Sequence, residues 1–198
     1  KGPLLFLTDD IAPVSEDWLA SLMDQLQTPG PGAVGPLLLY PDERVQHAGM
    51  YLRLPTGVGH ILRGAALPAE DPLGFAVGAR EVSCLTGAVL LTDRAAFEAV
   101  GGFDEQLAIS FQDVDYGLKL HQRGLRNIFE PKSILIHMES ATLGRSGGDR
   151  QVLMQRYLER KLFLKRWSPI FGADPFYPAG LDLDDESGRR LAQGGPRA

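Results

Sequence analysis

The stretch GPLLFLTDD (residues 2–10) decides the fold class of this chain. Leu4–Leu7 is a short apolar run typical of a buried strand, and the acidic pair Asp9-Asp10 follows it directly. In an open α/β sheet, ligands bind beyond the carboxyl ends of strands. Two carboxylates at such a point suit a hard divalent cation such as Mg²⁺ or Mn²⁺. The same pair before a helix is also typical of turn and capping chemistry, so both interpretations stay open at this point.

Beyond this stretch, apolar residues recur at strand spacing and at helix spacing in turn. A helix is predicted from an N-cap at Ser15 to a stop at Pro29-Gly30, and residues 41–80 are predicted to form short strands within a long excursion. The other predicted elements are strands at Ala33–Tyr40, Val82–Leu91, Leu125–Phe129 and Ser133–Ile136, and helices from Thr92 or Asp93 to Val100, over Asp113–Arg123 and over Asp149–Trp167. Alternating strands and helices predict an α/β fold.

The composition limits the classes of function. The chain has 198 residues, 44% of them hydrophobic, which is enough for one domain with one core. Its formal net charge of −5 argues against nucleic-acid binding, which needs a basic surface. No apolar run approaches the length of a membrane span, no signal-peptide pattern opens the chain, and the single cysteine, Cys84, excludes an internal disulfide framework. These features are typical of a cytoplasmic protein.

Three further polar positions, Asp113, Asp115 and His137, lie at the ends of predicted elements. Asp113 stands at the predicted start of a helix, where the helix dipole favours the ionised form and a positioned carboxylate can serve as a general base. Asp115, two residues later, is predicted only to cap the helix. His137 ends a predicted strand, where a histidine is either a metal ligand or an ordinary structural residue. Taken singly, these positions leave capping and structural roles open.

Several motifs, in order along nearly the whole chain, resemble the second half of GT-A-type inverting glycosyltransferases of family two. Within that family they are similar to the rhamnosyltransferase-like subgroup that builds bacterial surface polysaccharides. The motifs are residues 2–10, Pro13 to Leu19, Gln46-His47-Ala48-Gly49, Gly59 to Gly64, Thr86-Gly87-Ala88, Gly101-Gly102-Phe103-Asp104-Glu105, Asp113-Val114-Asp115 with Lys119, Pro131, His137 with Glu139-Ser140, Trp167, and Asp174-Pro175-Phe176-Tyr177-Pro178. Each motif alone is weak, and their order and spacing carry the resemblance.

The resemblance implies a fold and a set of residue roles. The fold would be the C-terminal portion of a GT-A fold, a mixed sheet flanked by helices. Asp113 matches the catalytic base, and Asp10 and His137 match ligands of a divalent metal, Mn²⁺ or Mg²⁺. The residues that would contact the donor sugar or the acceptor are Asp9, Gly87, Asp104 and Glu105.

The implied reaction transfers a sugar from a nucleotide-diphospho-sugar to a glycan or a lipid-linked acceptor. The metal offsets charge on the diphosphate leaving group. Asp113 takes the acceptor proton, and the hydroxyl attacks the anomeric carbon from the opposite face in one displacement. This sequence departs from the family's pattern at three positions: Thr8 stands where Asp or Asn is common, Gln112 where Glu is common, and Met138 where a second His is common.

The resemblance also predicts the domain organisation. Residues 1–178 are expected to form a partial catalytic domain that holds the metal and acceptor sides, and residues 179–198 an acidic, then Gly- and Arg-rich, disordered tail. The family's N-terminal half, which binds the nucleotide, has no counterpart in the sequence. We therefore expect this chain alone to bind donor weakly and to catalyse little.

Two other functions stay open on the sequence. A non-catalytic carbohydrate-binding or scaffold domain of the same fold is favoured by Thr8 and by the missing half. A metal phosphohydrolase would use Asp9, Asp10 and His137 to hold metals. The basic helix over Asp149–Trp167 either contacts anionic lipid or a lipid-linked acceptor, at the inner face of the membrane, or is a solvated amphipathic helix.

Overall fold

A computed structural model of the protein describes residues 2–53, 57–138, 150–169 and 173–192. Strands and helices alternate along these residues, as predicted. The strands are β1 (Leu4–Leu7), β2 (Ile11–Pro13), β3 (Pro31–Leu39), β4 (Val45–His47), β5 (Met50–Arg53), β6 (Gly57–His60), β7 (Arg80–Val82), β8 (Val89–Thr92) and β9 (Arg126–His137). The helices are α1 (Trp18–Leu26), α2 (Arg94–Ala99), α3 (Gln112–Gln122) and α4 (Arg150–Trp167).

Seven of the described strands form one mixed sheet. Its order is β1-β8-β3-β9-β2, with β4 also paired to β3 and β7 also paired to β9. The β3–β9 pair is parallel and the other pairs are antiparallel, while β5 and β6 form a separate two-stranded sheet. The predicted α/β class with a mixed sheet is confirmed.

The two strands predicted at Leu125–Phe129 and Ser133–Ile136 are one continuous strand, β9. Its register against β3 shifts after Glu130, so that Leu37 pairs with Ile134. Pro131 lies at this irregularity, and a proline has no backbone N–H to donate to a ladder. The sequence break at Pro131 therefore marks a bulge in one strand.

The core lies on both faces of β3, which is buried from Pro31 to Leu38. Successive side chains of a strand point to opposite faces. Accordingly, Ala33 packs in the cluster that contains Tyr116 of α3, and Val34 packs in the cluster that contains Leu22 of α1. Helices α1 and α3 thus cover the two faces of the sheet, and the strand ends between them are left to form a site.

Two local predictions differ from the structure. Strand β1 lies at the end of the strand order beside β8 and is not fully buried, since Leu5 is 38% and Leu7 50% exposed. Ser15 does not cap α1. Its hydroxyl accepts a hydrogen bond from the N–H of Ile134 at 3.0 Å, and Asp17 is the residue before the helix.

The acidic tail is ordered over residues 179–192, which differs from the disorder that its composition predicts. Leu181 is buried and forms a β-bridge with Leu191, and the carbonyl of Leu183 accepts a 2.8 Å hydrogen bond from the Tyr51 hydroxyl. Asp185 accepts from the N–H groups of Ser187, Arg189 and Arg190. Carboxylates that bond nearby amides order a segment that polar composition alone would leave unfolded. Residues 193–198 lie outside the described residues.

Helix α4 is described over Arg150–Trp167, and Asp149, where the sequence predicts its start, lies outside the described residues. Its Phe163 and Trp167 side chains are buried in a cluster with Leu118 of α3, so the helix lies against α3. Over the described ranges, no helix has both the length and the apolar character that crossing a membrane requires.

Candidate active site

A cavity of about 820 Å³ opens where β1 ends, α3 begins and α4 passes. It brings together five of the seven residues that the sequence selected: Asp9, Asp10, Gly87, Asp113 and His137. The other lining residues are Phe6, Leu7, Thr8, His60, Thr86, Ala88, Phe103, Ile109, Ser110, Phe111, Gln112 and Arg156. Residues more than 100 positions apart in the sequence, such as Asp10 and His137, therefore share one space.

Pairing between β2 and β9 places Asp10 beside His137. Ile11 lies opposite His137 in the ladder, and the N–H of Met138 donates to the carbonyl of Asp10 at 3.0 Å. The Nε2 atom of His137 is 3.1 Å from Oδ1 of Asp10. The Thr8 hydroxyl donates to the same oxygen at 2.8 Å, so Thr8 orients the Asp10 carboxylate.

Gln46 of β4 orients the other side of the His137 ring. Its Oε1 atom is 2.7 Å from Nδ1 of His137. An amide oxygen only accepts, so Nδ1 carries the hydrogen of this bond. The Nε2 atom is then the ring nitrogen directed at Asp10, with a free lone pair when the ring is neutral. Metal-binding histidines commonly have this second hydrogen bond to an oxygen.

Asp10 and His137 supply two donor atoms that fit a divalent cation. Within the described part of the chain, no three His, Cys, Asp or Glu side chains are arranged to hold a metal ion. Mg²⁺ usually binds through one or two carboxylates and completes its shell with water and substrate phosphates. The pair therefore fits an ion that is shared with a diphosphate, and does not fit a closed structural metal site.

Asp113 lies at the start of α3 with its carboxylate in the cavity. The N–H of Gly87 donates to Oδ2 and the N–H of Val114 donates to Oδ1, both at 2.8 Å. Burial raises the pKa of Asp113, and the two amide bonds oppose that rise. Phe111, in the left-handed region at φ 66°, precedes the helix and gives it no side-chain cap. The result is an oriented carboxylate that holds a proton more readily than an ordinary Asp.

A histidine pair that the sequence reasoning did not select, His47 and His60, lies near Asp113. His60 lines the cavity, and its Nδ1 atom is 3.3 Å from Nδ1 of the buried His47. Burial, followed by the nearby His60, Arg80 and His137, lowers the pKa of His47 well below its ordinary value. His60 also lowers the pKa of Asp113, as a smaller effect than burial. The sequence signal that could have identified this pair is the two family-like segments Gln46-His47-Ala48-Gly49 and Gly59 to Gly64.

Asp104 and Glu105 do not line the cavity. Asp104 accepts from the N–H of Gln106 at 2.9 Å and from Arg166 at 2.7 Å, and these two bonds hold its pKa below the usual value. Glu105 is exposed. The structure therefore places both residues beside the site and not in it.

Asp115 is fully buried and is not a helix cap. It receives Arg166 at 2.6 Å and the Trp167 indole N–H at 2.9 Å on one oxygen, and Lys119 lies 2.8 Å from the other. Asp115 thus fastens α4 to α3. The prediction that it only caps its helix is wrong, because two of its partners, Arg166 and Trp167, come from α4, 51 and 52 residues further along the chain.

Comparison with a solved structure supports the fold. The crystal structure of GalNAc-T7 with UDP, GalNAc and Mn²⁺ superposes with a TM-score of 0.54 at 17% identity, covering 71% of this chain and 28% of that chain. No family model matches the chain.

Sequence relatives point in the same direction. An O-antigen biosynthesis protein of Myxococcus xanthus is 39% identical over 140 residues, and an N-acetylglucosaminyl-diphospho-decaprenol L-rhamnosyltransferase of Mycobacterium tuberculosis is 33% identical over 125 residues. These comparisons confirm the predicted resemblance to rhamnosyltransferase-like glycosyltransferases of GT-A fold, and the predicted α/β fold class.

The matched regions are parts of longer relatives. The Myxococcus match covers 70% of this chain and 11% of the relative, and the Mycobacterium match covers 59% and 40%. An uncharacterized protein of Sinorhizobium fredii is 34% identical over 190 residues, which is 93% of this chain and 20% of that protein. The chain thus spans two fifths or less of the length of these relatives.

Proposed function

We propose that this chain forms the metal and acceptor side of an enzyme that transfers a sugar from a nucleotide-diphospho-sugar to a glycan or lipid-linked acceptor, with inversion at the anomeric carbon. The observation that carries the proposal is the shared cavity of Asp113 with Asp10 and His137. Such a transfer needs a proton acceptor and a pair of cation ligands, and both line this cavity. The relatives' names support the same class of reaction.

Asp113 is the proposed base. Its carboxylate is fixed by the amides of Gly87 and Val114, so a lone pair is left to face the cavity. The pKa raised by burial makes the carboxylate a stronger base than an ordinary Asp. It takes the proton of the acceptor hydroxyl as that oxygen attacks the anomeric carbon, and no protein nucleophile is required.

Asp10 and His137 are the proposed ligands of a divalent ion, Mn²⁺ or Mg²⁺. Such an ion, when bound, offsets charge on the diphosphate leaving group. Thr8 and Gln46 orient the two ligands through their hydrogen bonds. Asp9 lines the same cavity, and its proposed role is to contact the donor.

The test is a transfer assay with the full natural protein that carries this sequence. Nucleotide-diphospho-sugars are supplied with Mn²⁺, Mg²⁺ or a chelator, and the product's anomeric configuration is read by NMR. We expect product only with a divalent ion, and with the configuration opposite to that of the donor. Retention of configuration would overturn the inverting mechanism, and full activity in chelator would overturn the metal role.

Two controls separate the other functions. Release of phosphate from simple phosphate esters, with no sugar transfer, would indicate a phosphohydrolase. Binding of glycans to the chain without metal or nucleotide, with no transfer by the natural protein, would indicate a carbohydrate-binding domain.

A further inference from the structure

Arg156 is a charged residue of the cavity to which no role has been given. Among the described residues that line the cavity, it is the one arginine, and lysine is absent from that set. Its Nε atom is buried and has no hydrogen-bond partner, and its guanidinium forms no salt bridge with any described residue. Buried donors in proteins are nearly always paired, so a buried and unpaired guanidinium nitrogen at a cavity indicates a site for an anionic ligand.

The position of Arg156 is fixed by its neighbours on α4. Glu159, which is buried, accepts from the N–H of Ile109 at 3.2 Å and of Ser110 at 2.7 Å. Phe163 stacks on Phe111 with ring centroids 4.6 Å apart. Residues three and seven positions along a helix share a face with the first. Arg156 therefore lies on the face of α4 that is fastened to the 109–111 loop, which is itself part of the cavity wall.

The neighbouring face of α4 carries exposed apolar side chains, and the Nζ atom of Lys161 lies over one of them, the Tyr157 ring, 5.4 Å from its centroid. Four large hydrophobic side chains there are each between 51% and 53% exposed: Leu153, Met154, Tyr157 and Leu158. Contiguous apolar surface of this kind marks a binding surface more often than scattered single residues do. An arginine that lies beside an apolar face matches a ligand whose phosphoryl group is joined to a hydrocarbon chain.

We propose that Arg156 binds a phosphoryl group of a lipid-linked acceptor, and that the apolar face of α4 contacts the first part of the lipid. The inference rests on the proposed function and names the acceptor class of that site. The guanidinium offers several N–H donors in a plane, which suits phosphoryl oxygens. The cation ligands Asp10 and His137 serve the donor's diphosphate, so the two phosphoryl groups are recognised by different residues of one cavity.

The test is a binding titration of this chain in the presence of chelator, with no donor sugar. The probes are geranyl diphosphate, geraniol, inorganic diphosphate and UDP. We expect geranyl diphosphate to bind more tightly than each of the other three. Arg156→Gln should weaken its binding by about tenfold or more, the usual effect of losing a charge-assisted hydrogen bond. Lys165→Gln, an exposed change on the same helix, should leave it unaltered.

Two further variants make the result specific. The double variant Leu153→Ser with Tyr157→Ser should weaken the binding of geranyl diphosphate and leave the binding of inorganic diphosphate unchanged. Arg156→Lys keeps the charge without the planar set of donors and should recover only part of the affinity. Circular dichroism of each variant confirms that it folds, and a variant that fails to fold is replaced by Arg156→Lys as the main comparison.

Several outcomes would overturn the proposal. If Arg156→Gln lost the same factor of affinity for UDP as for geranyl diphosphate, the arginine would be assigned to the donor. Geraniol binding as tightly as its diphosphate would leave Arg156 without a role. Binding of the chain to anionic vesicles that is insensitive to Arg156→Gln, with no binding of geranyl diphosphate, would make α4 a membrane-surface helix. None of these measurements needs sugar transfer, so failure here is distinguishable from failure of the proposed reaction.

Discussion

Two carboxylates on one turn of α3 have opposite surroundings. Asp113 faces the cavity, and its described hydrogen-bond partners are the backbone amides of Gly87 and Val114. Asp115 points into the protein and is surrounded by Lys119, Arg166 and the Trp167 indole. Two residues along the helix are enough to turn a side chain from the cavity to the α3–α4 contact.

The difference separates a residue for chemistry from a residue for stability. The Asp115 carboxylate is held by Lys119, Arg166 and the Trp167 indole, so its oxygens serve the contact between α3 and α4. The Asp113 carboxylate is oriented by amides and desolvated, and burial raises its pKa, so it takes up a proton more readily than an ordinary Asp. The α3 helix thus carries a proposed base on one face and an anchor for α4 on the other.

The largest expected effect is on the rate of transfer when Asp113 is changed to Asn. The amide keeps the shape of the side chain and removes its ability to accept the proton. We expect kcat to fall by roughly 10²–10⁴-fold in the natural protein. Asp24→Asn on the exposed face of α1 is the matched control and should retain full activity. A near wild-type rate for Asp113→Asn would remove the base assignment.

The next effect is on stability when Asp115 is changed to Ala. This change removes the buried carboxylate that pairs with Arg166 and Lys119 and accepts from the Trp167 indole, and breaking a buried ion pair costs about 3–5 kcal/mol. Urea unfolding of the chain should show this loss, while Asp113→Ala should lose much less. If both variants unfolded at the same urea concentration, the contrast between the two carboxylates would be wrong.

A smaller effect is expected when Gln46 is changed to Leu. The change removes the hydrogen bond that orients His137, and loss of such a partner typically weakens metal affinity about 10–100-fold. The measurement is the Mn²⁺ concentration that half-activates transfer. Gln122→Leu, at an exposed position of α3, is the control. An unchanged activation constant would show that Gln46 does not support a metal ligand.

The smallest effect concerns pH. Burial raises the folded-state pKa of Asp113, so the rate should fall on the acid side at a pH above that of an ordinary Asp. The same shift lowers stability: the loss appears as pH rises from the unfolded to the folded pKa and is absent below both. Profiles of kcat against pH should show the acid-side fall at a pH above the ordinary Asp pKa. Asp113→Asn should abolish the change in unfolding free energy over the same pH range. An acid-side fall in rate at the ordinary Asp pKa would contradict the claim that burial desolvates Asp113.

Much of the fold follows from local sequence. Apolar periodicity located α1, α3, α4, β1 and β3 to within a few residues, because period and burial are set along each element. Turn chemistry also succeeded: Asp93 caps α2 by accepting from the N–H of Ala96 at 2.9 Å. Where the prediction was wrong, at Ser15, a side chain found its partner on a distant strand instead of its own helix.

The site divides in the same way. The sequence by itself determined that acidic residues follow β1 and open α3, and that a histidine ends β9. Only the tertiary structure decided three hydrogen bonds. Gln46 bonds to His137, 91 residues away, and Asp115 accepts from Arg166, 51 residues away. Asp104 also accepts from Arg166 and does not line the cavity. The tertiary structure also brought Arg156 to the cavity. Periodicity and capping act over a few residues and are written in the order of the chain, whereas the partner of a buried charge is chosen by which faces pack together.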